Sequence, residues 1–141
     1  MYLDSAYIAK YYVNEVDSAP LRSLVERNPP LVSSSVCLAE VSCVFHRHAR
    51  EGRLSLSRAG ALTKVFLEDI DSGFWTLIPI TDRLLRRVAT QASGIPRNVY
   101  IRAADAVHLT TAQNEGETEI WTNDRHLLNA APYFGLAGRT V

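Results

Sequence analysis

Short apolar segments with the composition of β-strands alternate with longer segments of helical periodicity along the whole chain. A strand followed by a helix and another strand is typical of βαβ units, whose strands run parallel and whose helices cover the sheet. The sequence therefore predicts an α/β fold around a central, mostly parallel sheet. No repeat or long linker divides the 141 residues, so we expect residues 1–141 to form a single domain.

The boundaries follow from turn residues and capping residues. We expect strands at 1–4, 31–34, 74–80 and 119–122, and a last edge strand from residue 134 onward. We expect helices at about 5–13, 18–28, 35–50, 55–71, 81–93, 102–115 and 124–131. Asn28-Pro29-Pro30 and Gly116 are the clearest stop signals, and Pro132 is expected to close the last helix.

Composition and charge limit the classes of function. A hydrophobic content of 47% and a charged content of 21% are ordinary for a soluble globular protein. The net charge of zero argues against a broadly basic nucleic-acid binder. A nuclease remains compatible with it, because metal ions and a few arginines meet phosphate locally. Arginines cluster at 47–58 and 83–102, which we interpret as solvated helix faces in preference to an RNA track.

The cysteines and the hydropathy pattern indicate a reducing, aqueous compartment. Cys37 and Cys43 lie on one predicted helix about 9 Å apart along its axis, too far for a disulfide, so both are expected to be buried small hydrophobes. The sequence contains no apolar run of about 18 residues and no signal-peptide pattern at its start. We therefore expect a cytoplasmic protein without a membrane span.

Two acidic residues follow predicted strands directly. Asp4 comes after Tyr2-Leu3, and Asp124 ends the segment Ile120-Trp121-Thr122-Asn123-Asp124. Each has a structural interpretation as an N-cap of the next helix. Each also has a functional one, because open parallel sheets bind ligands beside the carboxyl ends of their strands.

Glu40 and Asp105 lie within predicted helices. Glu40 shares an apolar helix face with Val36, Cys43 and Val44, where a carboxylate needs a cation partner or a cleft edge. That partner is either Arg47 or a metal ion. Asp105 lies in the first helical turn, among small residues that permit close packing, and there the helix dipole favours a negative charge.

Taken together, these four acids suggest one site more strongly than any of them does alone. Carboxylates without supporting His or Cys ligands suit hard cations such as Mg²⁺ or Mn²⁺. Such ions bind phosphate oxygens and activate water. We therefore propose that Asp4, Glu40, Asp105 and Asp124 serve as both metal ligands and catalytic residues.

Four motifs resemble those of PIN domains, in the same order and across essentially the whole chain. They are Leu3-Asp4-Ser5, Leu-Ala-Glu-Val at 38–41, Ala-Asp-Ala-Val-His-Leu at 104–109 and Trp-Thr-Asn-Asp at 121–124. Among PIN domains, the chain most resembles the small VapC-type toxins of bacterial and archaeal toxin–antitoxin pairs. The resemblance implies a three-layer α/β/α sandwich and an endoribonuclease that depends on Mg²⁺ or Mn²⁺.

The resemblance also implies roles for particular residues. Asp4, Glu40 and Asp105 correspond to the core acids of the family, and Asp124 corresponds to its fourth, more variable acid. Thr122 and Ser5 match hydroxyl residues that orient the site. A homodimer is implied, neutralised by a small VapB-type antitoxin whose C-terminal segment covers the active groove. Arg102 is less typical of the family, and it either pairs with Asp105 or contacts substrate phosphate.

Two other interpretations stay open at this point. The first is a catalytically inactive PIN-like module that binds RNA or a protein. The second is a phosphotransfer domain with Asp4 as its nucleophile, but such enzymes usually carry a second Asp two residues on, where this chain has Ala6. The histidines add no third interpretation, because their spacing fits no zinc site. His108, one turn after Asp105, is expected to be structural.

Overall fold

A computed structural model describes all 141 residues and contains five short strands. The strands are β1 (Tyr2–Leu3), β2 (Val32–Ser34), β3 (Thr76–Ile78), β4 (Glu119–Trp121) and β5 (Ala137–Arg139). They form a single sheet in the order β3-β2-β1-β4-β5, and every pairing is parallel. In its centre, Tyr2 is in register with Val32 on one side and with Ile120 on the other. The predicted α/β fold with a parallel sheet is confirmed.

Seven α-helices connect and cover the strands. They are α1 (Ser5–Tyr12), α2 (Ser18–Arg27), α3 (Cys37–Arg50), α4 (Leu56–Asp71), α5 (Asp82–Ser93), α6 (Ala103–Asn114) and α7 (Arg125–Ala130). Hydroxyl N-caps begin two of them: Ser55 Oγ accepts from the backbone N–H of Arg58, and Thr81 Oγ1 accepts from that of Leu84. None of the helices combines the length and the apolar character needed to cross a bilayer.

The chain after α7 differs from the prediction. A 3₁₀ helix, Ala131–Phe134, passes through Pro132, and β5 begins only at Ala137. Pro132 lies in the first turn of this 3₁₀ helix, where its missing N–H costs nothing. Gly135, at φ +70°, then reverses the chain into the edge strand.

Two hydrophobic cores lie on opposite faces of the sheet, because successive strand residues point to opposite sides. Leu3 belongs to the larger core, which α1–α4 complete with Tyr7, Ile8, Val41, Phe45 and Phe66 among others. Tyr2 belongs to the smaller core, built from β4, α6, α7 and the 3₁₀ helix with Leu109, Ile120, Leu127 and Phe134 among others. Helices therefore cover both faces, which confirms the α/β/α sandwich.

The larger core corrects two details of the sequence interpretation. The buried face of α3 consists of Cys37, Val41, Phe45 and His48. Cys43 is exposed, so the expectation that both cysteines are buried is wrong for Cys43. Glu40 consequently lies at the edge of the buried stripe, where its carboxylate reaches a cleft.

The topology places that cleft. Successive strands are added to one side of β1 up to β3, and the chain then returns to add β4 and β5 on the other side. In open parallel sheets, the carboxyl ends of the strands at such a reversal flank a crevice that binds ligands. Asp4 follows β1 and Thr122 follows β4, so both residues lie at this reversal of the strand order.

Candidate active site

One pocket of about 430 Å³ lies at the carboxyl edge of the sheet. All four acids proposed from the sequence line it: Asp4, Glu40, Asp105 and Asp124. Ser5 and Arg102 line it too, together with Arg47, His108 and Asn123. Residues from both ends of the sequence thus meet at one site.

Asp4 is held at the end of β1 by two hydrogen bonds. Its Oδ1 accepts from the backbone N–H of Tyr7 at 2.9 Å, so it is the N-cap of α1 as the structural interpretation predicts. Its Oδ2 accepts from Thr122 Oγ1 at 2.6 Å. Burial raises the pKa of Asp4 to about 6, and the hydrogen bond from Thr122 and the nearby His108 oppose the rise. Asp4 is thus a carboxylate whose charged form is costly until a cation approaches it.

Glu40 lies in the first turn of α3 with its side chain about one-third exposed. Its Oε2 accepts from Ser5 Oγ at 2.6 Å and lies 3.1 Å from His108 Nε2. Burial opposes ionisation here too, but the hydrogen bonds with His108 and Ser5 outweigh it and hold the pKa of Glu40 below its usual value. The partners of Glu40 are therefore a histidine and a serine, whereas Arg47 only lines the pocket.

Arg102 bridges the two remaining acids. Its Nε and Nη2 donate to the two carboxylate oxygens of Asp105, at 2.9 and 3.1 Å, and Nη2 also pairs with Asp124. Asp105 in turn accepts from the backbone N–H of Arg102 at 3.0 Å, which satisfies a free N–H group at the start of α6. The open question about Arg102 is thus answered in part, because Arg102 does pair with Asp105.

Asp124 combines a cap with this ion pair. Its Oδ1 accepts from the backbone N–H of His126 at 2.7 Å at the start of α7. Burial opposes ionisation, but this bond and Arg102 hold the pKa of Asp124 below its usual value. Its own N–H donates to Thr122 Oγ1 at 2.9 Å, so Thr122 contacts both Asp4 and Asp124.

His108 is the site residue that the sequence analysis underestimated. It is buried on α6, and its Nε2 lies 2.9 Å from Ser5 Oγ and 3.1 Å from Glu40 Oε2. Its position three residues after Asp105 is the signal that would have placed it, because residues three apart share a helix face. His108 is therefore part of the pocket wall as well as part of the packing.

The donor set fits a hard divalent cation. The acids offer carboxylate oxygens only, and cysteine is absent from the lining. No three acidic, His or Cys side chains are gathered as a preformed ligand group. The guanidinium of Arg102 instead supplies the positive charge between Asp105 and Asp124. A pocket that draws a cationic side chain between its carboxylates has the electrostatics that a bound cation requires.

Comparisons with known proteins agree with this picture. A family model described as the PIN domain matches residues 1–132. The chain is 31% identical over 139 residues to Ribonuclease VapC46 of Mycobacterium tuberculosis (strain ATCC 25618 / H37Rv), and the match covers 97% of this chain and 94% of the relative. It is also similar to the crystal structure of Mycobacterium tuberculosis VapC20, described as a sarcin-ricin loop cleaving toxin. The TM-score is 0.70 at 16% identity, over 92% of this chain and 93% of that chain, so this likeness concerns the fold alone.

Because the PIN model spans nearly the whole chain and the ribonuclease relative aligns end to end, this chain belongs to the PIN domain family.

Proposed function

We propose that this chain is a divalent-metal-dependent endoribonuclease and the toxin of a VapBC-type toxin–antitoxin pair. One observation carries the proposal: carboxylates from four separate motifs of a PIN domain line a single pocket at the carboxyl edge of the sheet. The relationship to a VapC ribonuclease along the whole chain supports the same activity.

The residues that would hold the ion are Asp4, Glu40, Asp105 and Asp124, and the ion we propose is Mg²⁺ or Mn²⁺. When bound, such an ion supplies charge that activates a water nucleophile and neutralises the scissile phosphate. The same four acids are our candidates for the catalytic residues.

The hydroxyl residues orient the acids in this proposal. Ser5 Oγ donates to Glu40, and Thr122 Oγ1 donates to Asp4, so each hydroxyl fixes one carboxylate oxygen. In Glu40 this leaves Oε1 for the pocket, whereas in Asp4 the other oxygen, Oδ1, also accepts from the backbone N–H of Tyr7. Both Ser5 and Thr122 are buried, which protects these bonds from exchange with water.

Arg102 has a free donor that suits a substrate phosphate. Its side chain is half exposed, and Nη1 makes no hydrogen bond within the chain, whereas Nε and Nη2 are engaged. We propose that Nη1 contacts a phosphate oxygen of the RNA beside the scissile bond. A guanidinium suits this task because its planar fork matches phosphate oxygens.

The proposed partners follow from the same family relationship. They are an RNA substrate, a small VapB-type antitoxin and a second copy of the chain in a homodimer. We propose a cytoplasmic location and a single domain spanning residues 1–141.

A second candidate function is a catalytically inactive module that binds RNA or a protein. The observation in its favour is the ion pair of Arg102 with Asp105 and Asp124, which neutralises two of the four acids without a metal. Metal titration separates the two candidates, because an inactive module would bind RNA equally well in chelator and in Mn²⁺.

The test is RNA cleavage with Mg²⁺, Mn²⁺ or EDTA by the wild type and by Asp4→Asn and Asp105→Asn. We expect cleavage only with metal and a loss of at least about 100-fold in each variant, since each removes a charged ligand. Asp71→Asn, at the exposed end of α4, is the matched control and should cleave normally. Undiminished cleavage by both site variants, with native circular dichroism spectra, would refute the proposal.

A further inference from the structure

A chain of buried hydrogen bonds runs from the smaller core to the pocket. The Tyr2 hydroxyl lies 3.0 Å from Nδ1 of His108, and Nε2 of the same ring contacts both Ser5 Oγ and Glu40 Oε2. Tyr2 is fully buried and the His108 side chain is only 3% exposed. The two rings meet edge to face, with centroids 5.9 Å apart.

Donor and acceptor requirements determine which atom donates in each of these hydrogen bonds. Ser5 has a single hydroxyl hydrogen, which it donates to Glu40 over 2.6 Å. The contact between Ser5 Oγ and His108 Nε2 therefore requires a proton on Nε2. In the neutral ring, Nδ1 then accepts the hydroxyl hydrogen of Tyr2. Ser5 and Glu40 thus favour the ring tautomer with an N–H on Nε2, and the Tyr2 hydroxyl completes it by donating to Nδ1.

The hydrogen bonds from Tyr2 through His108 to Glu40 do more than satisfy buried polar groups. An apolar residue at position 108 would leave the buried Tyr2 hydroxyl without its partner and would make no contact with a carboxylate. The imidazole instead spans the gap between the core and the rim of the pocket, where it contacts the part-exposed carboxylate of Glu40. Ser5 and His108 converge on the same oxygen, Oε2, so Oε1 remains for the pocket.

We propose that His108 is a positioning residue for Glu40, with Tyr2 holding the imidazole at Nδ1. His108 holds Oε2 so that the carboxylate of Glu40 faces the pocket before metal and RNA arrive. This inference rests on the proposed function, because the carboxylate it positions is one of the proposed metal ligands. Removing a partner that orients a metal-ligating side chain commonly lowers metal affinity or activity by about 10- to 100-fold.

The test compares His108→Ala with His108→Gln, whose amide nitrogen reaches nearly the same place as Nε2. We expect His108→Ala to weaken Mn²⁺ binding by about 10-fold and to lower kcat by a similar factor with little change in KM for RNA. His108→Gln should recover most of both losses. Isothermal titration calorimetry measures Mn²⁺ affinity independently of turnover, and crystal structures of the metal-free variants report the position of Glu40.

His48→Ala is the matched control. His48 is also buried, and its Nε2 lies 3.3 Å from the carboxylate of Glu15, but it does not line the pocket. Its removal should lower stability and leave Mn²⁺ affinity unchanged. If His108→Ala fails to fold, Tyr2→Phe keeps the ring and removes only the hydroxyl, and we expect it to weaken Mn²⁺ binding in the same direction by a smaller factor.

Three outcomes would overturn the positioning role. They are unchanged Mn²⁺ affinity and kcat in the folded His108 or Tyr2 variants, equal losses in His108→Ala and His108→Gln, and a Glu40 carboxylate that keeps its place in the metal-free His108→Ala crystal. Mn²⁺ binding without RNA cleavage in the wild type would refute the proposed function alone, and the affinity and crystal comparisons would still decide the role of His108.

Discussion

Thr122 Oγ1 donates a hydrogen bond of 2.6 Å to Asp4 Oδ2, joining side chains 118 positions apart in sequence. The same oxygen accepts the backbone N–H of Asp124 at 2.9 Å. Thr122 is fully buried between the ends of β1 and β4, so one hydroxyl links the two central strands to two of the acids. It adds a side-chain contact to the backbone pairing of β1 with β4, which holds the first and the last motif in register.

Thr122→Val keeps the shape of this side chain and removes its hydroxyl. We expect the free energy of unfolding to fall by about 1–3 kcal/mol, because a buried carboxylate oxygen and a backbone N–H both lose their partner. Urea denaturation at pH 7.5 in EDTA measures the change. Thr122→Ser, which keeps the hydroxyl, should lose only about 1 kcal/mol for its methyl group. Equal stability of wild type and Thr122→Val would show that the hydrogen bond contributes nothing.

The burial of Asp4 makes the metal-free protein sensitive to pH. The pKa of Asp4 is about 6 in the folded chain against an ordinary value of 3.8. Between these values the folded state binds more protons than the unfolded state, so the contribution of Asp4 to stability falls as pH rises from about 4 to about 6. Two pKa units correspond to about 3 kcal/mol at most.

Asp4→Asn isolates the contribution of Asp4 to the pH dependence of stability. Glu40 and Asp124 contribute in the opposite direction, because their pKa values are lowered in the folded chain and their stabilisation therefore increases as pH rises. The asparagine amide retains an oxygen for the N–H of Tyr7, so the cap on α1 survives. In EDTA at pH 7.5 we expect the variant to be more stable than the wild type. Its advantage should shrink by about 2–3 kcal/mol as the pH is lowered to 4. Urea denaturation of both proteins at the two pH values measures this difference in the free energy of unfolding. A difference that does not change with pH would contradict the raised pKa of Asp4.

Mn²⁺ should offset most of that difference in stability at pH 7.5. An ion that binds only the folded state stabilises it by about 2.7 kcal/mol when its concentration is 100 times its dissociation constant. The wild type should therefore gain melting temperature with added Mn²⁺, whereas Asp4→Asn, which lacks one proposed ligand, should gain much less. Differential scanning fluorimetry in Mn²⁺ and in EDTA measures the gain in melting temperature of each protein. Equal gains in the two proteins would remove Asp4 from the ligand set.

Most of the fold was predictable because its signals are local. The helices α4 and α5, capped by Ser55 and Thr81, begin within one residue of their predicted starts, and every predicted helix is present. The end of the chain was less predictable, because Pro132 stops an α-helix but is tolerated in the first turn of a 3₁₀ helix. The phase of α3 was also mistaken: its buried face begins at Cys37, and one residue of error rotates a helix by about 100°.

The site was predictable in its members but not in its contacts. Asp4 and Asp124 keep the capping roles that the sequence indicates, and Asp105 lies in the first turn of α6 as expected. All three also line one pocket, so the structural and functional interpretations are both correct. The bridge from Arg102 to Asp124 spans 22 residues and depends on where α6 and α7 begin relative to each other. The place of His108 in the site could not be predicted from local sequence, because its partners, Ser5 and Glu40, lie 103 and 68 positions away.

Arg102→Met tests whether this guanidinium competes with the metal. The substitution keeps an unbranched chain of similar reach and removes the cation between Asp105 and Asp124. Two neighbouring carboxylates then lack a counterion, so we expect lower stability in EDTA and tighter Mn²⁺ binding, by about 10-fold for an interaction of about 1.4 kcal/mol. Calorimetry measures the affinity, and Arg87→Met, on the exposed face of α5, is the control.

KM for RNA should rise in Arg102→Met even though the metal binds more tightly, because the phosphate contact proposed for Nη1 is also lost. Mn²⁺ affinity that is unchanged or weaker would mean that Arg102 does not occupy the cation position, and unchanged KM would mean that it does not contact the substrate.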